Sequence, residues 1–150
     1  MASHEGPAYM RTSRPKTSVI YSPDETFPIG GLKVLRESDR DVATVIGAGV
    51  TVFEALTAYE QLQAEGISIR VVDLYSVQPV DKETLIRCGQ ASKGSLITVE
   101  DHYINGGIGD AVAAAVASAG LTVRLLAICE IQRLYLILIS ETNRQRIISY

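Results

Sequence analysis

The chain has 150 residues, of which 47% are hydrophobic and 21% are charged. This length allows one domain with a sizeable buried core. The net charge of −3 gives no electrostatic reason to expect a nucleic acid or a membrane surface as partner. No apolar run reaches transmembrane length, and the first residues lack the apolar core of a signal peptide.

The chain contains two cysteines, Cys88 and Cys129, which are 41 residues apart. They lack the spacing of a zinc site. The sequence therefore predicts two reduced thiols in a cytoplasmic protein.

Residues 1–30 hold four of the five prolines and a cluster of basic side chains. This composition predicts an extended lead-in or linker. Arg11 stands in this segment between short polar residues, where a guanidinium could hold a phosphate bidentately. A solvated surface arginine is the alternative. A short strand is predicted over residues 32–36, followed by a turn over residues 37–41.

The segment 41–73 has the pattern of a β-α-β unit. An apolar run at residues 42–46 precedes a glycine-rich turn at 47–49 and a segment with helical periodicity at 50–65. A second apolar run follows at 67–72. Two buried runs joined by a crossover of this length predict parallel strands with helices on both faces of the sheet.

The helix of this unit has signals at both ends. Thr51 followed by Glu54 predicts a capping box, and Gly66 stands where a helix C-cap needs a left-handed residue. Five apolar side chains recur along one face of the helix: Val52, Ala55, Leu56, Tyr59 and Leu62.

Helices and strands are predicted to alternate after residue 73. Asp81 is well placed as the N-cap of the next helix. The predicted elements are a helix from there to about residue 91, a strand at 95–99, a helix at 110–119 stopped by Gly120, and a strand at 122–128. The whole pattern predicts a three-layer α/β domain.

Gly47-Ala48-Gly49 suggests a dinucleotide site, because Asp73 ends the next strand where a ribose-binding acid would stand. The fingerprint fails at Val52, which occupies the position of the third glycine. The alternative is a tight turn whose backbone amides are capped by Thr51.

Glu100, Asp101 and His102 follow a predicted buried strand and precede a glycine-rich loop. Ligands of open α/β sheets bind at the carboxyl ends of strands, and histidine beside carboxylates is suited to acid-base chemistry. The alternative is structural: the carboxylates cap neighbouring amides, and His102 packs at a domain or subunit boundary.

Five segments in this order resemble the C-terminal part of transketolase: MRTSRP, VIYSPDETFPIGGLKVL, VATVIGAGVTVFEAL, ISIRVVDLYSVQPVD and LITVEDHYINGGIGDAV. The resemblance covers about residues 6–133, and the pair VIGAGVT and VEDHY-x-x-GGIG is specific to that family. It implies a thiamine diphosphate and Mg²⁺ enzyme, a cytoplasmic homodimeric transferase of the pentose phosphate pathway, which moves a two-carbon ketol unit between sugar phosphates.

The resemblance also implies a domain plan. Residues 1–17 would be the tail of the pyrimidine-binding domain, 18–31 a linker, and 32–133 the C-terminal domain. That domain is expected to be a three-layer α/β/α structure with a mixed, mostly parallel five-stranded sheet, whose antiparallel strand is residues 32–36. The family's C-terminal domain holds no cofactor. The arginine of the family's short R-x-x-x-P segment, at the end of the pyrimidine-binding domain, maps onto Arg11, which implies contact with the substrate phosphate in the full-length enzyme.

Both ends depart from the family. Met1 stands inside what the family has as continuous sequence, which suggests a fragment or an internal start. Gln132 replaces a proline, and the likeness ends after residue 133. A shifted reading frame or a truncated gene model would produce the tail 134–150. Its apolar run at 134–139 predicts a terminal strand or an aggregation-prone segment.

The sequence thus predicts the C-terminal domain of a transketolase. We expect this piece to serve assembly with the rest of a transketolase chain and a second subunit, to bind no cofactor and to be inactive by itself. One alternative is a stand-alone α/β interaction module related to the β-subunits of keto-acid dehydrogenases. Another is a small nucleotide-binding regulatory domain that uses the turn at 47–49.

Overall fold

The computed structural model describes residues 4–14, 16–101, 105–119 and 127–128. The elements in chain order are β1 Lys33–Arg36, β2 Thr44–Gly47, α1 Val50–Ala64, β3 Arg70–Asp73, α2 Lys82–Ala91, β4 Leu96–Val99, α3 Ile108–Val116, a 3₁₀ turn at Ala117–Ala119, and β5 Ala127–Ile128. Among these helices, none has the length and apolar character needed to cross a membrane.

The strands form one five-stranded sheet in the order β1-β3-β2-β4-β5. β1 is antiparallel to β3, and the other neighbouring pairs are parallel. Val45 at the centre of β2 is in register with Val71 of β3 and Ile97 of β4. The expected mixed, mostly parallel sheet with an antiparallel strand near residues 32–36 is therefore confirmed.

Helices cover both faces of the sheet. Successive strand residues point to opposite faces, so Val45 and Val71 pack under α1 while Ile46 and Val72 pack under α2 and α3. The helices contribute side chains to the core, since Leu62 of α1 and Leu85 of α2 are fully buried. The predicted three-layer α/β/α architecture is confirmed.

Two helix-end predictions are confirmed. Gly66 has φ 79° directly after the C-cap of α1, the left-handed geometry that favours glycine. Asp81 caps α2 by accepting a hydrogen bond from the Thr84 N–H at 3.0 Å. Cys88 on α2 is a buried free thiol whose pKa is raised by burial, whereas Cys129 lies outside the described residues.

The capping box predicted at Thr51 is wrong. The N-cap of α1 is Gly49, whose φ of 62° turns the chain so sharply that the helix begins at Val50. Thr51 is already inside the helix and is fully buried. Its hydroxyl accepts a hydrogen bond from the Ala48 N–H at 3.0 Å, so it braces the turn and does not cap the helix.

The predicted start of α3 is two residues late. α3 begins at Ile108, because the Glu100 carboxylate receives the N–H of that residue, as described below. Of the strand expected at 122–128, only Ala127–Ile128 belongs to the described part. The predictions for Gly120 and for the run 134–139 lie outside the described residues.

Candidate functional site at the carboxyl edge of the sheet

The carboxyl ends of β2 and β4 form the natural crevice of this sheet. These strands are neighbours, yet β2 leads into α1 on one face while β4 leads towards α3 on the other. Ligands of open α/β sheets bind where connections diverge in this way. The glycine-rich turn at 47–49 and the residues after β4 stand at this crevice.

The N-terminal segment lies across this edge. We call residues 11–14 and 16–31 the N-terminal strap. Arg11 contacts Asp101 beyond β4, and Tyr21 contacts Asp73 at the end of β3. Between them, the Ser13 hydroxyl stands 3.5 Å from the point where a Cβ on Gly49 would lie. The strap therefore contacts both sides of the crevice, while Gly49 and residues 11–14 remain exposed.

Arg11 and Asp101 form an ion pair that remains open to solvent. Nη2 of Arg11 lies 3.1 Å from Oδ2 of Asp101 and 3.4 Å from its main-chain carbonyl oxygen. The side chains are 49% and 31% exposed. The pair thus joins residues 90 positions apart without removing the guanidinium from water.

Glu100 is part of the core. It is only 2% exposed, and its Oε2 accepts a hydrogen bond from the Ile108 N–H at 2.6 Å. A carboxylate at this position satisfies a free amide and complements the dipole at the start of α3. A Cβ on Gly107 would lie 1.9 Å from Oε2, so the loop packs directly on the carboxylate. This geometry fits the structural alternative for Glu100; His102 lies outside the described residues.

Asp73 is not free to hold a ribose. It is 7% exposed, and its Oδ2 accepts a hydrogen bond from the Tyr21 hydroxyl at 2.6 Å. Burial raises the pKa of Asp73, and the bond from Tyr21 works against that rise. Burial and the nearby carboxylate also raise the pKa of the Tyr21 phenol. The turn at 47–49 therefore fits the tight-turn interpretation and not a nucleotide site.

Sequence reasoning missed the aromatic contacts that hold the strap. The ring of Phe27 meets Tyr21 and Tyr75 edge-on, with centroid distances of 4.9 and 5.0 Å. The Tyr75 hydroxyl donates to the Pro28 carbonyl oxygen at 3.1 Å. Tyr21 and Phe27 are six residues apart, but Tyr75 lies 48 residues beyond Phe27. Only the placement of these aromatic residues near prolines could have suggested their contact.

Replacing Tyr21 by phenylalanine is expected to lower the free energy of unfolding by about 1 to 2 kcal/mol near neutral pH, because a buried carboxylate loses a hydrogen bond. The pKa of Asp73 lies above its ordinary value of 3.8, so the folded protein retains this proton to higher pH than the unfolded chain. The loss should therefore shrink as the pH falls through that raised pKa. Urea denaturation at several pH values measures it, with the exposed Tyr9→Phe as control. A loss independent of pH would contradict this account.

The cofactor implied by the family resemblance is thiamine diphosphate with Mg²⁺. Mg²⁺ with a diphosphate requires several oxygen ligands at one place. Within residues 4–14, 16–101, 105–119 and 127–128, no three His, Cys, Asp or Glu side chains converge on a metal position.

The fold and this edge define a doubly wound α/β domain whose N-terminal strap contacts the carboxyl edge of the sheet. The family model "Transketolase, C-terminal domain" matches residues 30–135. The chain belongs to the transketolase C-terminal domain family.

Known proteins agree with this assignment. The chain is 51% identical over 133 residues to transketolase-like protein 2 of Mus musculus, a match that covers 88% of this chain and 21% of that protein. It is 47% identical to transketolase of Rattus norvegicus over the same length, with the same shares covered. The solved structure "Split gene transketolase, inactive beta4 tetramer" superposes with a TM-score of 0.67 at 34% identity, covering 75% of this chain and 37% of that one. The chain spans about a fifth of the length of the curated relatives it matches.

Proposed function

We propose that this chain serves as the C-terminal domain of a transketolase, an enzyme that transfers a two-carbon ketol unit between sugar phosphates, and that its role there is assembly. The observation that carries this proposal is that the acids at the carboxyl edge already have partners within the chain. Tyr21 is bonded to Asp73 and Arg11 to Asp101, so the reacting groups would come from other domains. The matches near 50% identity support the family's reaction for the assembled enzyme.

The proposed partners are the rest of a transketolase chain and a second subunit in a homodimer. The strap and the residues just before it supply a surface for such contacts, because Tyr9, Met10 and Val19 are 88%, 67% and 90% exposed. Burying apolar side chains of this size against another domain would stabilise an assembly at about 25 cal/mol per Å². The solved relative titled a β4 tetramer supports self-association in this family.

A polypeptide of residues 1–150 is expected to bind no thiamine diphosphate in the presence of Mg²⁺ and to transfer no ketol unit. The physical reason is that the described residues bring together no group of three or more His, Cys, Asp or Glu side chains for the metal. Isothermal titration calorimetry with the cofactor measures binding, and a complete transketolase is the positive control. Saturable binding at micromolar affinity would overturn the proposed assembly role while leaving the family membership intact.

We propose further that Arg11 contacts the substrate phosphate in the complete enzyme. Its guanidinium is presented on the strap, half exposed and charged, beside the carboxyl edge. Arginine is suited to phosphate because its planar fork of N–H donors matches the oxygens of the anion.

Arg11→Ala in a transketolase that carries residues 6–133 of this chain is expected to raise KM for phosphorylated substrates about 10- to 100-fold, since a hydrogen bond to a charged group contributes about 1.5 to 3 kcal/mol. The effect on kcat should be small, because the remote phosphate is bound equally in the ground and transition states. Steady-state kinetics with phosphorylated and unphosphorylated substrates measures both constants.

The matched control is Arg14→Ala, which removes the same charge from an exposed position on the same strap. KM for unphosphorylated substrates should be unchanged by both substitutions. If Arg11→Ala weakens both substrate types equally, Arg11 does not contact the phosphate. If only Arg14→Ala shows the KM effect, the phosphate contact belongs to the second arginine.

A further inference from the structure

We propose that Asp101 is a positioning residue for Arg11: it orients the guanidinium at the carboxyl edge and thereby helps to select phosphorylated substrates. This inference rests on the proposed phosphate contact of Arg11. It assigns a role in substrate recognition to a residue of the C-terminal domain, reached through a contact between parts of the chain 90 residues apart.

The contact uses one side of the guanidinium. Both hydrogen bonds of Arg11 to Asp101 start from Nη2, one ending on the carboxylate at 3.1 Å and one on the main-chain carbonyl at 3.4 Å. The arginine fork has five N–H donors, of which Nε and Nη1 carry three. The Arg11 side chain is 49% exposed, and its two hydrogen bonds to Asp101 do not use these three donors. Asp101 therefore orients the guanidinium while leaving the donors on Nε and Nη1 outside this contact.

The residue before Asp101 is held in the core. Glu100 is 2% exposed, and its carboxylate receives the N–H of Ile108 at the start of α3. Asp101 thus directly follows a residue that is bonded to α3. A free arginine on an extended strap would sample many rotamers, and binding a phosphate would then cost the entropy of ordering it. Prior orientation by Asp101 reduces that cost.

Exposure limits the size of the effect. An ion pair between exposed side chains contributes little to stability, because water screens both charges. Such a pair is strong enough to bias the orientation of a side chain and weak enough to yield to small adjustments when an anion arrives. Asp101 should therefore act on substrate binding more visibly than on the stability of the fold.

The test is Asp101→Asn in a transketolase carrying residues 6–133 of this chain, assayed with phosphorylated and unphosphorylated substrates. KM for the phosphorylated substrate is expected to rise about three- to five-fold, the scale of an exposed ion pair. The values of kcat, the KM for unphosphorylated substrate and the thermal midpoint should stay unchanged. Asp101→Glu, which keeps the charge, should restore part of the lost affinity.

A double-mutant cycle with Arg11→Ala separates positioning from other effects. In the Arg11→Ala background, Asp101→Asn should change nothing further, because the residue acts through the arginine. Asp39→Asn is the matched control, since it removes an equal charge from an exposed turn at the opposite edge of the sheet.

The outcomes distinguish the two proposals. If Arg11→Ala leaves KM for the phosphorylated substrate unchanged, the phosphate contact itself fails, and the inference falls with it. If Arg11→Ala raises this KM while Asp101→Asn leaves it unchanged, the ion pair only fastens the strap and the positioning role is wrong. A lowered KM in Asp101→Asn would show that Asp101 competes with the phosphate, which also overturns the proposal.

Discussion

Gly107→Ala is expected to lower the free energy of unfolding by about 3 kcal/mol or more, or to release α3 from the sheet. The added Cβ would stand 1.9 Å from Oε2 and 2.6 Å from Cδ of Glu100. Neither group has room to move, because Glu100 is 2% exposed and its carboxylate is bonded to the Ile108 N–H. Overpacking a core costs about 1 to 3 kcal/mol, and losing a hydrogen bond of a buried charged group adds a similar amount. Urea denaturation followed by circular dichroism measures the loss.

The control for this prediction removes the Glu100 carboxylate, which the added Cβ would meet. In the Glu100→Ala background the carboxylate is gone, so adding Gly107→Ala should cost far less than it does in the unmodified chain. Such strong non-additivity is the signature of two groups in direct contact. If Gly107→Ala costs the same in both backgrounds, the loop does not pack on Glu100 as the structure has it.

Asp41→Ala is expected to lower the free energy of unfolding by about 2 to 3 kcal/mol, because the buried Arg70 guanidinium loses its buried carboxylate partner. It keeps the exposed carboxylate of Glu37, whose Oε2 lies 3.6 Å from Nη2 of Arg70. Oδ2 of Asp41 accepts hydrogen bonds from Arg70 Nε at 3.2 Å and from the Ser38 N–H at 2.9 Å. Oδ1 accepts from the Ser38 hydroxyl at 2.6 Å. The side chains of Asp41 and Arg70 are only 1% and 8% exposed, so water cannot replace the lost partner. Chemical denaturation at neutral pH measures the change.

Asp39→Ala serves as the matched control, since it removes an exposed carboxylate from the same turn and should change stability by no more than about 0.5 kcal/mol. Combining Asp41→Ala with Arg70→Met should recover part of the loss, because the buried guanidinium that lost its partner is then absent. Equal losses for Asp39→Ala and Asp41→Ala would show that the pair at the amino edge of the sheet is solvated and not buried.

Local patterns in the sequence determined the architecture of this protein. The alternation of apolar runs with helical periodicity predicts the parallel β-α-β unit. A strand buried on both faces gives a continuous apolar run, whereas a helix buried on one face repeats its apolar residues every three or four positions. Gly66 and Asp81 marked helix ends correctly, since each acts on backbone groups within a few residues. The antiparallel strand near residue 33 followed from the family resemblance and not from periodicity, because strand direction depends on distant partners.

The tertiary structure alone decided what occupies the carboxyl edge. Tyr21 meets Asp73 across 52 residues and Arg11 meets Asp101 across 90, and no local pattern encodes such contacts. Thr51 looked like a cap from its spacing to Glu54, yet the positive φ of Gly49 moved the start of the helix. The sequence shows whether a side chain can donate or accept a hydrogen bond, but its partner depends on which loops the sheet brings together.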